Sequence, residues 1–363
     1  MEHTTDYCIL GAGIAGLSLA DALMQRDLSV TVIDKESIAA GASGTPGGLV
    51  NPATGRRATK TWKAEQCYEA ISSTLKKIQS TTDKEFYRNN GLLRPALLEK
   101  MAKKMRAQFE NTTWPKGWCQ WKTEEEIKEM HPGINCVDGG LWLPIGITVN
   151  VGKYLQAYAT FLKDKGAKIF LSEPPQKIDK ANHWQIELDN TTIKARNLVF
   201  ATGHSTKELP FWDWLPLHLI KGQVATFKSV DGPLSFSHSI SSLGYMARTG
   251  KPDIIVQGST YEHDFNHLSP DVEGEKYLRK RMRRTLPQLE KVVITIDQWA
   301  GARTSTPNKK PILGQHPENK NLYVFTGLGS KGLMYGRFLA DHYVDHLLEG
   351  RKLYPEVDIK RFE

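Results

Sequence analysis

The sequence predicts an α/β protein with a second lobe built mainly from antiparallel strands. Two glycine-rich turns, one near each end of the 363-residue chain, stand between a strand and a helix, as turns of parallel α/β sheets do. The stretch from Leu217 to Asp297 is rich in short strands and carries one basic helix, which predicts the antiparallel lobe. The expected fold class is therefore α/β plus α+β, in two domains.

The first glycine turn has the full context of a dinucleotide-binding β-α-β unit. An apolar strand at 6–10 leads into Gly-Ala-Gly-Ile-Ala-Gly at 11–16. A helix with apolar residues at helical spacing follows at 17–25, and a second strand at 29–33 ends at Asp34. A lone G-x-G-x-x-G is weak evidence, but a strand before it and a helix after it make it specific. The turn therefore predicts a Rossmann-like FAD/NAD(P)-binding domain.

The residues of this turn have separate expected roles. Gly11 permits the tight turn, and Gly13 lets a pyrophosphate approach backbone N–H groups at the positive end of the helix. Gly16 lets the helix and strand pack closely. Asp34 is placed to accept hydrogen bonds from the ribose hydroxyls of an adenosine, which favours an unphosphorylated ribose. The alternative is that these are packing glycines of an unrelated α/β domain.

The second glycine turn lies close to the C-terminal end. A strand at 322–325 is followed by Gly327, Gly329 and Gly332, and then by a helix at 333–348. Only a short tail follows, without a second strand and acidic residue, so a complete second nucleotide site is not expected. The order of lysine and glycine also differs from that of a phosphate-transfer loop. The turn instead predicts a helix N-terminus directed at an anion.

The chain between the two turns continues the alternation of helices and strands. The loop 39–48 is so rich in small residues that we expect backbone to lie close to something flat or charged. The segment 84–144 is predicted to be an inserted, partly irregular lobe. The remaining expected elements are helices at 61–79, 97–109, 151–165 and 273–285 and strands at 91–95, 167–171, 184–188, 197–203, 223–227, 245–247, 254–257 and 292–297.

Composition and charge limit the classes of protein to consider. No run approaches twenty apolar residues and no secretory segment is recognisable, so we expect a cytoplasmic protein without a membrane partner. Four cysteines at wide spacing predict reduced thiols. The net charge is +8, with basic clusters at 276–284 and 56–63. Such clusters favour a polyanionic partner, although solvated basic surfaces are also common.

An ordered set of motifs runs nearly the full length of the chain. Besides the first turn, these are Gly-Ala-Ser-Gly at 41–44, Ala-Thr-Gly at 201–203, Lys-Gly-Gln at 221–223, Trp-Ala-Gly-Ala-Arg at 299–303, Pro-Ile-Leu-Gly at 311–314 and Thr-Gly-Leu-Gly at 326–329. Through this set the whole chain resembles the D-amino acid oxidase and glycine oxidase group of FAD-dependent oxidoreductases.

The resemblance implies FAD as the cofactor and a discontinuous architecture. The FAD-binding domain comprises 1–84, 142–215 and 298–363, and an antiparallel-sheet substrate domain comprises 85–141 and 216–297. Where flavinylated relatives carry a cysteine, none is recognised in this chain, so FAD is expected to be noncovalent. The helix that starts at the second glycine turn would stabilise negative charge on the reduced flavin, with a contribution from Lys331.

The resemblance also implies two substrate-site residues. Arg303 is expected to pair with the substrate carboxylate, for which a planar guanidinium is suited, unless it is a structural arginine tied to backbone carbonyls. Tyr245 aligns with a substrate-pocket tyrosine, and a core tyrosine is the alternative.

A metal site is not expected, because His263 and His267 lie in a loop beside a proline. The expected cofactor-binding residues are Gly11, Gly13, Ile14, Ala15, Gly16, Asp34, Lys35, Ala42, Ser43, Gly44, Gly48, Leu49, Ala201, Thr202, Gly203, Gly327, Gly329, Ser330, Lys331, Gly332 and Leu333.

The predicted reaction is oxidation of the C–N bond of an amino acid or N-substituted glycine. The neutral amine would pass a hydride from its α-carbon to flavin N5, and the resulting imine would hydrolyse.

The segments at 47–57 and 327–333 look closer to the oxidoreductase half of the bifunctional enzyme that matures methylaminomethyl-uridine in transfer RNA. Removal of a carboxymethyl group from a tRNA wobble uridine is therefore the first alternative. A non-catalytic flavin-binding module and a nicotinamide dehydrogenase are the others. The substrate, the electron acceptor and the oligomeric state are left open.

Overall fold

The computed structural model describes residues 2–363, which form eight α-helices and twenty-one β-strands. The helices are α1 (Ile14–Met24), α2 (Ala64–Gln79), α3 (Glu99–Glu110), α4 (Glu124–Met130), α5 (Val151–Asp164), α6 (Val272–Thr285), α7 (Pro287–Lys291) and α8 (Gly332–Glu349). The strands are β1 (Glu2–Leu10), β2 (Val30–Asp34), β3 (Gly48–Val50), β4 (Ala53–Thr54), β5 (Thr59–Lys60), β6 (Tyr87–Arg88), β7 (Leu92–Pro95), β8 (Gln120–Lys122), β9 (Gly140–Leu143), β10 (Ile147–Val149), β11 (Lys168–Leu171), β12 (Lys177–Lys180), β13 (Trp184–Glu187), β14 (Thr192–Phe200), β15 (His218–Ser229), β16 (Ser239–Ser241), β17 (Tyr245–Ala247), β18 (Ile254–Gly258), β19 (Val293–Ser305), β20 (Ile312–Gln315) and β21 (Leu322–Thr326).

The central sheet has eight strands and a parallel middle. Strands β11, β2, β1 and β14 lie side by side in that order, all parallel, and β21 runs parallel to the last part of β14. The antiparallel strands β13 and β12 continue the sheet beside the first part of β14, and β20 pairs with β21. Both glycine turns therefore follow strands of one sheet, at its carboxyl edge.

Helices cover one face of this sheet, and their apolar sides form the largest core cluster. It joins buried residues of α1, α2, α5 and α8 to β1 and β2, with Leu17, Leu75, Tyr158 and Leu339 among its members. Parallel strands buried on both faces need apolar sequence, which the last residues of β1 (Tyr7–Leu10) and of β14 (Leu198–Phe200) provide. A second cluster around Trp212 covers the opposite face.

A second eight-stranded sheet brings together two distant segments of the chain. Its order is β19-β15-β18-β17-β16-β7-β9-β8, antiparallel except for β16 and β7. Helix α6 packs on it through Leu278 and Met282, which contact a cluster that includes Phe227 and Ile255. This sheet beside the parallel one confirms the predicted fold class.

Several element boundaries differ from the sequence-based expectation. Helix α1 begins at Ile14, inside the glycine turn, rather than at residue 17. The strand predicted at 292–297 is the first part of the longer β19, which carries the 299–303 motif as well. Strands β9 and β19 run across the predicted domain boundaries at 141/142 and 297/298. The exact division into two discontinuous domains stays a prediction.

Two small sheets complete the fold between the large ones. Strand β10 pairs with β3 and β6, and β4 pairs with β5 in a hairpin at 53–60. In the part of the chain that the structure describes, none of the helices is both long and apolar enough to cross a membrane.

Candidate active site

A cavity of about 1110 Å³ lies where the carboxyl edge of the central sheet meets the second sheet. Ligand pockets for drug-sized molecules span roughly 300–1,000 Å³, so this one has room for a large cofactor together with a substrate. Both glycine turns, the small-residue loop at 39–48 and the 299–303 motif contribute to its wall. The elements that the sequence singled out thus converge on one site.

The first glycine turn brings backbone close to this cavity. Gly11 has a φ of +110°, in the left-handed region, and its N–H donates to the Ile33 carbonyl at 2.7 Å. A Cβ on Gly16 would lie 1.9 Å from the Gly11 carbonyl oxygen, so α1 can rest on the turn only with glycine there. Gly13, at the N-cap of α1, lines the cavity and has no side chain to cap the helix, while the Ile14 N–H donates to the Ser43 Oγ at 3.2 Å. Such a helix end favours an anion.

Asp34 lies at the same edge, one strand away. Its Oδ2 accepts a hydrogen bond from the Ala12 N–H at 2.8 Å, and its Oδ1 accepts one from the Glu36 N–H at 2.9 Å. A carboxylate oxygen has two lone pairs, so both oxygens retain acceptor capacity toward the cavity that Asp34 lines. Lys35 lines the cavity beside it, with its Nζ 3.3 Å from the Ser205 Oγ.

The second glycine turn places the start of α8 against the same cavity. Gly327 and Gly329 both have positive φ, and the Gly329 N–H donates to the Thr304 carbonyl at 2.9 Å. Helix α8 has no acidic residue in its first turn and no side-chain cap. Burial, together with the charge of Lys309, lowers the pKa of Lys331, which lines the cavity at this helix end. The positive end of α8 and this lysine favour negative charge at this part of the cavity.

Arg303 reaches the cavity from β19 with part of its guanidinium unpaired. Its Nη2 donates to the Ser259 Oγ at 2.6 Å and to the Thr260 carbonyl at 3.3 Å. Its Nη1 is buried and has no hydrogen-bond partner within the described chain. The guanidinium carbon lies 4.6 Å from the centre of the Tyr261 ring. Arg303 as a whole is half-buried, and a guanidinium with a buried free donor and no carboxylate partner is ready to receive an anion.

Tyr245 lies beside Arg303 at the same wall. It pairs with Gly258 across β17 and β18, and its hydroxyl donates to the Gly47 carbonyl at 2.6 Å. Burial raises the pKa of Tyr245 to about 12, against the opposing effect of the Arg303 charge. The hydroxyl is therefore protonated at neutral pH, and its oxygen still has a lone pair to offer.

The Lys-Gly-Gln motif of β15 packs against Arg303 and holds its contacts in place. A Cβ on Gly222 would lie 1.8 Å from the Arg303 Nη2, so glycine leaves the room that the guanidinium occupies. Lys221 is 1% exposed, and its Nζ lies 3.0 Å from Asp271 and 3.5 Å from Glu262. Backbone hydrogen bonds in both directions join Lys221 to Glu262, and thereby hold the segment 259–262 that contacts Arg303.

The structure gathers nearly all predicted site residues at this cavity. Arg303, Tyr245 and every predicted cofactor-binding residue except Gly16 and Gly44 line it. Gly16 and Gly44 lie behind the wall, where a Cβ on Gly44 would come within 2.6 Å of the Ala39 carbonyl oxygen. Their roles in binding stay predictions, and the contacts assign both a packing role.

Sequence reasoning missed several wall residues at both ends of the cavity. Pro174, Pro175 and His204 lie toward the Asp34 end, and Arg94 and Arg281 lie on the opposite side. The carboxyl ends of neighbouring parallel strands share one edge of the sheet, so the position of Pro174 and Pro175 after β11 could have been predicted from the sequence. The positions of the two arginines could not, since they depend on pairings between distant segments.

The wall contains no evident metal centre. Across residues 2–363 there is no group of three or more His, Cys, Asp or Glu side chains that could hold a metal ion. The four cysteines are free thiols, three of them buried.

Comparison with known protein families identifies the family of this chain. A model of the FAD-dependent oxidoreductase family (DAO) matches residues 6–346 of the chain. The chain belongs to this family. The DAO-type resemblance inferred from its motifs is thereby confirmed, and the protein is an FAD-dependent oxidoreductase.

Curated relatives of this DAO-family chain carry an additional part. The tRNA 5-methylaminomethyl-2-thiouridine biosynthesis bifunctional protein MnmC of Hydrogenovibrio crunogenus is 25% identical over 98% of this chain and 58% of its own length. The protein of the same name from Marinobacter nauticus is 26% identical over 95% of this chain and 56% of its own length. The chain thus spans about 58% of the length of such relatives.

Solved structures share the fold over the whole DAO-family chain. Glycine oxidase from Geobacillus kaustophilus superposes with a TM-score of 0.85 at 21% identity, covering 99% of this chain and 98% of its own. Iminodiacetate oxidase from Chelativorans sp. BNC1 gives a TM-score of 0.80 at 20% identity, covering 98% of both chains. At these identities the likeness shows the fold.

The residues of the cavity fit the cofactor of the family. Gly13 lets a pyrophosphate approach the N-terminus of α1, and Asp34 on the same wall offers carboxylate oxygens to a ribose. At the other helix end, Lys331 and the uncapped start of α8 offer positive charge for an electron-rich ring. A dinucleotide with a flavin thus finds complementary groups at both glycine turns.

Proposed function

We propose that the protein oxidises the C–N bond of an amino acid or N-substituted glycine. The observation that carries this proposal is Arg303, whose Nη1 is buried without a partner in the cavity that both glycine turns line. A carboxylate binds a guanidinium through two parallel N–H···O bonds, so an α-amino acid supplies the group that this arginine lacks. FAD, held noncovalently by the glycine turns, would accept the hydride from the substrate α-carbon.

The residues around Arg303 would orient the substrate and keep water out. Arg303 holds the carboxylate, the Tyr245 hydroxyl contacts the substrate from the same wall, and the α-carbon then lies in a fixed position. The amine must be neutral to give up a hydride. None of the ion pairs within the described residues includes Arg303, so no carboxylate of the chain competes with the substrate carboxylate for its guanidinium. The oxidised substrate is an imine, which water hydrolyses after release. Orientation and electrostatics would therefore supply most of the catalysis.

A second candidate substrate is an N-substituted glycine attached to a transfer RNA. It is favoured by the bifunctional tRNA-biosynthesis relatives, which align along 98% of this chain, and by the cationic residues on the wall of the cavity. The Arg303 site would keep its role, because a carboxymethylamino group is itself a glycine. Much of the α6 basic run is internally paired, since Lys276, Arg279 and Arg283 bond to glutamates. RNA binding would therefore rest on the remaining cations.

Anaerobic reduction of the bound flavin tests both candidates. We expect its visible absorption to bleach when glycine, sarcosine, D-amino acids or a carboxymethylaminomethyl-uridine tRNA are added in turn. Bleaching by a free amino acid supports the small-molecule reaction, and bleaching by the tRNA alone supports RNA modification. Retained absorption with every amine would contradict both and indicate a flavin-binding module without amine oxidation.

The Arg303→Met variant tests the assigned residue. Loss of two charge-assisted hydrogen bonds should raise the apparent Kd of carboxylate substrates by about 100-fold or more while FAD stays bound. Arg88→Met is a matched control, because Arg88 pairs with Glu85 on the surface away from the cavity. Unchanged kinetics in Arg303→Met would sink the assignment.

A further inference from the structure

Arg94 is a buried cation without an anionic partner. It lies on β7, is 3% exposed and lines the cavity. Its Nη1 donates to the Ser241 Oγ at 3.2 Å, its Nη2 donates to the Gly55 carbonyl at 2.6 Å, and its Nε is buried without a partner. None of the ion pairs formed by residues 2–363 includes it. A buried charge without a counter-ion is unfavourable, so we expect an anion from outside the chain to pair with Arg94.

The groups near Arg94 leave this charge in place. Burial lowers the pKa of Arg94 to about 10, so the side chain stays protonated at neutral pH. Burial also raises the pKa of the neighbouring Cys119 thiol to about 12, so that group is neutral and cannot act as a counter-ion. The positive charge of Arg94 is therefore uncompensated in the protein alone.

Two further arginines converge on the same part of the wall. Arg281 on α6 donates to the Leu243 carbonyl, in the turn between β16 and β17, two residues after Ser241, the contact of Arg94 at the end of β16. Its second partner is the neutral Tyr277 hydroxyl. Arg56 follows Gly55, the other contact of Arg94, and lines the cavity while remaining exposed. No carboxylate within the described chain forms an ion pair with any of the three.

We propose that Arg56, Arg94 and Arg281 form a phosphate-binding site for a substrate whose other end is the glycine unit held by Arg303. The inference rests on the proposed function, because it assigns the second anchoring point of the same substrate. A phosphate presents several acceptor oxygens to planar guanidinium groups, which suits three arginines better than a single carboxylate does.

The position of the site separates it from the expected cofactor groups. Arg94 contacts Gly55 in the 53–60 hairpin, which also carries Arg56, and it contacts Ser241 at the end of β16. Arg281 contacts Leu243 in the turn at 242–244. These are other segments than the starts of α1 and α8. The same turn leads directly into Tyr245, and a Cβ on Gly244 would lie 2.5 Å from the Gly258 carbonyl oxygen. Ser259, which holds Arg303, follows Gly258. One substrate can therefore contact both the Arg303 site and the arginine cluster.

Matched substrates in the FAD-bound protein test the proposal. The first pair is sarcosine and N-(phosphonomethyl)glycine, and the second is 5-carboxymethylaminomethyluridine and a trinucleotide that carries it in the middle. Apparent Kd values come from the concentration dependence of anaerobic flavin reduction in a phosphate-free buffer. In at least one pair, we expect the member with the phosphonate or phosphodiester group to bind about tenfold tighter or better. The pair that shows this preference distinguishes a small molecule with a phosphate-like group from a phosphodiester of RNA.

Variants then assign the preference to the cluster. Arg56→Ala and Arg281→Met should each remove most of the preference, and Arg56 is exposed, so the first of them does not threaten folding. Arg57→Ala and Arg284→Ala are controls, because they remove neighbouring cations that do not line this cavity. A preference that survives in both cluster variants would overturn the proposal, as would the absence of any preference in both pairs.

A direct binding measurement keeps this inference separate from the proposed function. Calorimetric titration of the FAD-bound protein with an unmodified uridine trinucleotide and with inorganic phosphate is independent of the reaction, because neither ligand contains an amine that the flavin could oxidise. Arg56-dependent binding of these ligands without flavin reduction by any amine would contradict the proposed reaction and support the phosphate site. Flavin reduction by sarcosine without Arg56-dependent binding would support the reaction and contradict the phosphate site.

Discussion

Gly222 determines where the Arg303 guanidinium can lie. In Gly222→Ala the new Cβ would sit 1.8 Å from Nη2 and 2.5 Å from Cζ, so the guanidinium must leave its present position. We expect the apparent Kd of a carboxylate substrate to rise about tenfold to 100-fold, because a charge-assisted contact is lost, while FAD remains bound. Anaerobic titration with substrate, together with the flavin spectrum, measures both quantities.

Gly250 provides the control for this substitution. No atom lies within 4 Å of the position that a Cβ would take there, and Gly250 has no left-handed φ, so Gly250→Ala should leave substrate affinity unchanged. An unaltered apparent Kd in Gly222→Ala would show that the guanidinium is not held where the structure places it.

At the scale of one element, β15 carries a buried charge that holds the segment 259–262 in position. Lys221→Met removes the cation between Asp271 and Glu262, leaving two carboxylates side by side. Breaking a fully buried pair costs about 3–5 kcal/mol, and we expect a smaller loss here because the side chains of Glu262 and Asp271 are 29% and 33% exposed. The loosened segment no longer fixes Ser259 against Arg303. We expect a lower midpoint in urea unfolding and a weaker apparent Kd for carboxylate substrates, with kcat less affected.

The same strand offers a matched control for that variant. Lys228 also lies on β15, but its side chain is 51% exposed and its Nζ is 3.9 Å from Asp253. Lys228→Met should change stability by less than about 0.5 kcal/mol. Lys221→Arg should restore part of the substrate affinity. Equal effects in Lys221→Met and Lys228→Met would contradict a positioning role.

The local motifs of these elements could be predicted from the sequence, whereas the pairing of strands that are far apart in the chain could not. The roles of Gly11 and Gly16 in turn and packing follow from spacing alone, and the structure shows the close approaches that they permit. The burial of Arg94 follows from β7 lying between β9 and β16, segments far apart in the chain. Periodicity reports on neighbours within one element, so neither this pairing nor the partners of Lys221 could be inferred.

At the scale of the whole molecule, one carboxylate joins the four helices behind the cofactor site. Asp21 on α1 accepts hydrogen bonds from Arg337 on α8, from Lys77 on α2 at 2.6 Å and from the Tyr158 hydroxyl on α5 at 2.7 Å. Its side chain is 4% exposed. Since α1 and α8 begin at the two glycine turns, this network fixes the relative position of the turns.

The titration of Asp21 predicts how stability depends on pH. Burial alone raises the pKa of Asp21, but the Arg337 charge and the hydrogen bonds of Lys77 and Tyr158 outweigh it and hold the pKa below its ordinary value. A lowered folded-state pKa contributes stability above the unfolded-state value of about 3.9, and that contribution is lost as the pH falls through the folded-state pKa. The network should therefore weaken only in acid.

Asp21→Asn tests this at constant excess FAD. The variant leaves two cations without their shared carboxylate, so we expect urea unfolding near pH 7 to show a loss of about 3–5 kcal/mol. The difference from the parent should persist down to about pH 4 and shrink below it, since the parent then loses the same charge by protonation. Glu349→Gln, which alters an exposed pair with Arg26, should leave stability nearly unchanged at every pH because solvent screens that pair. A deficit in Asp21→Asn that matches Glu349→Gln, or that does not shrink in acid, would mean that the four helices are held by apolar packing and not by this charge.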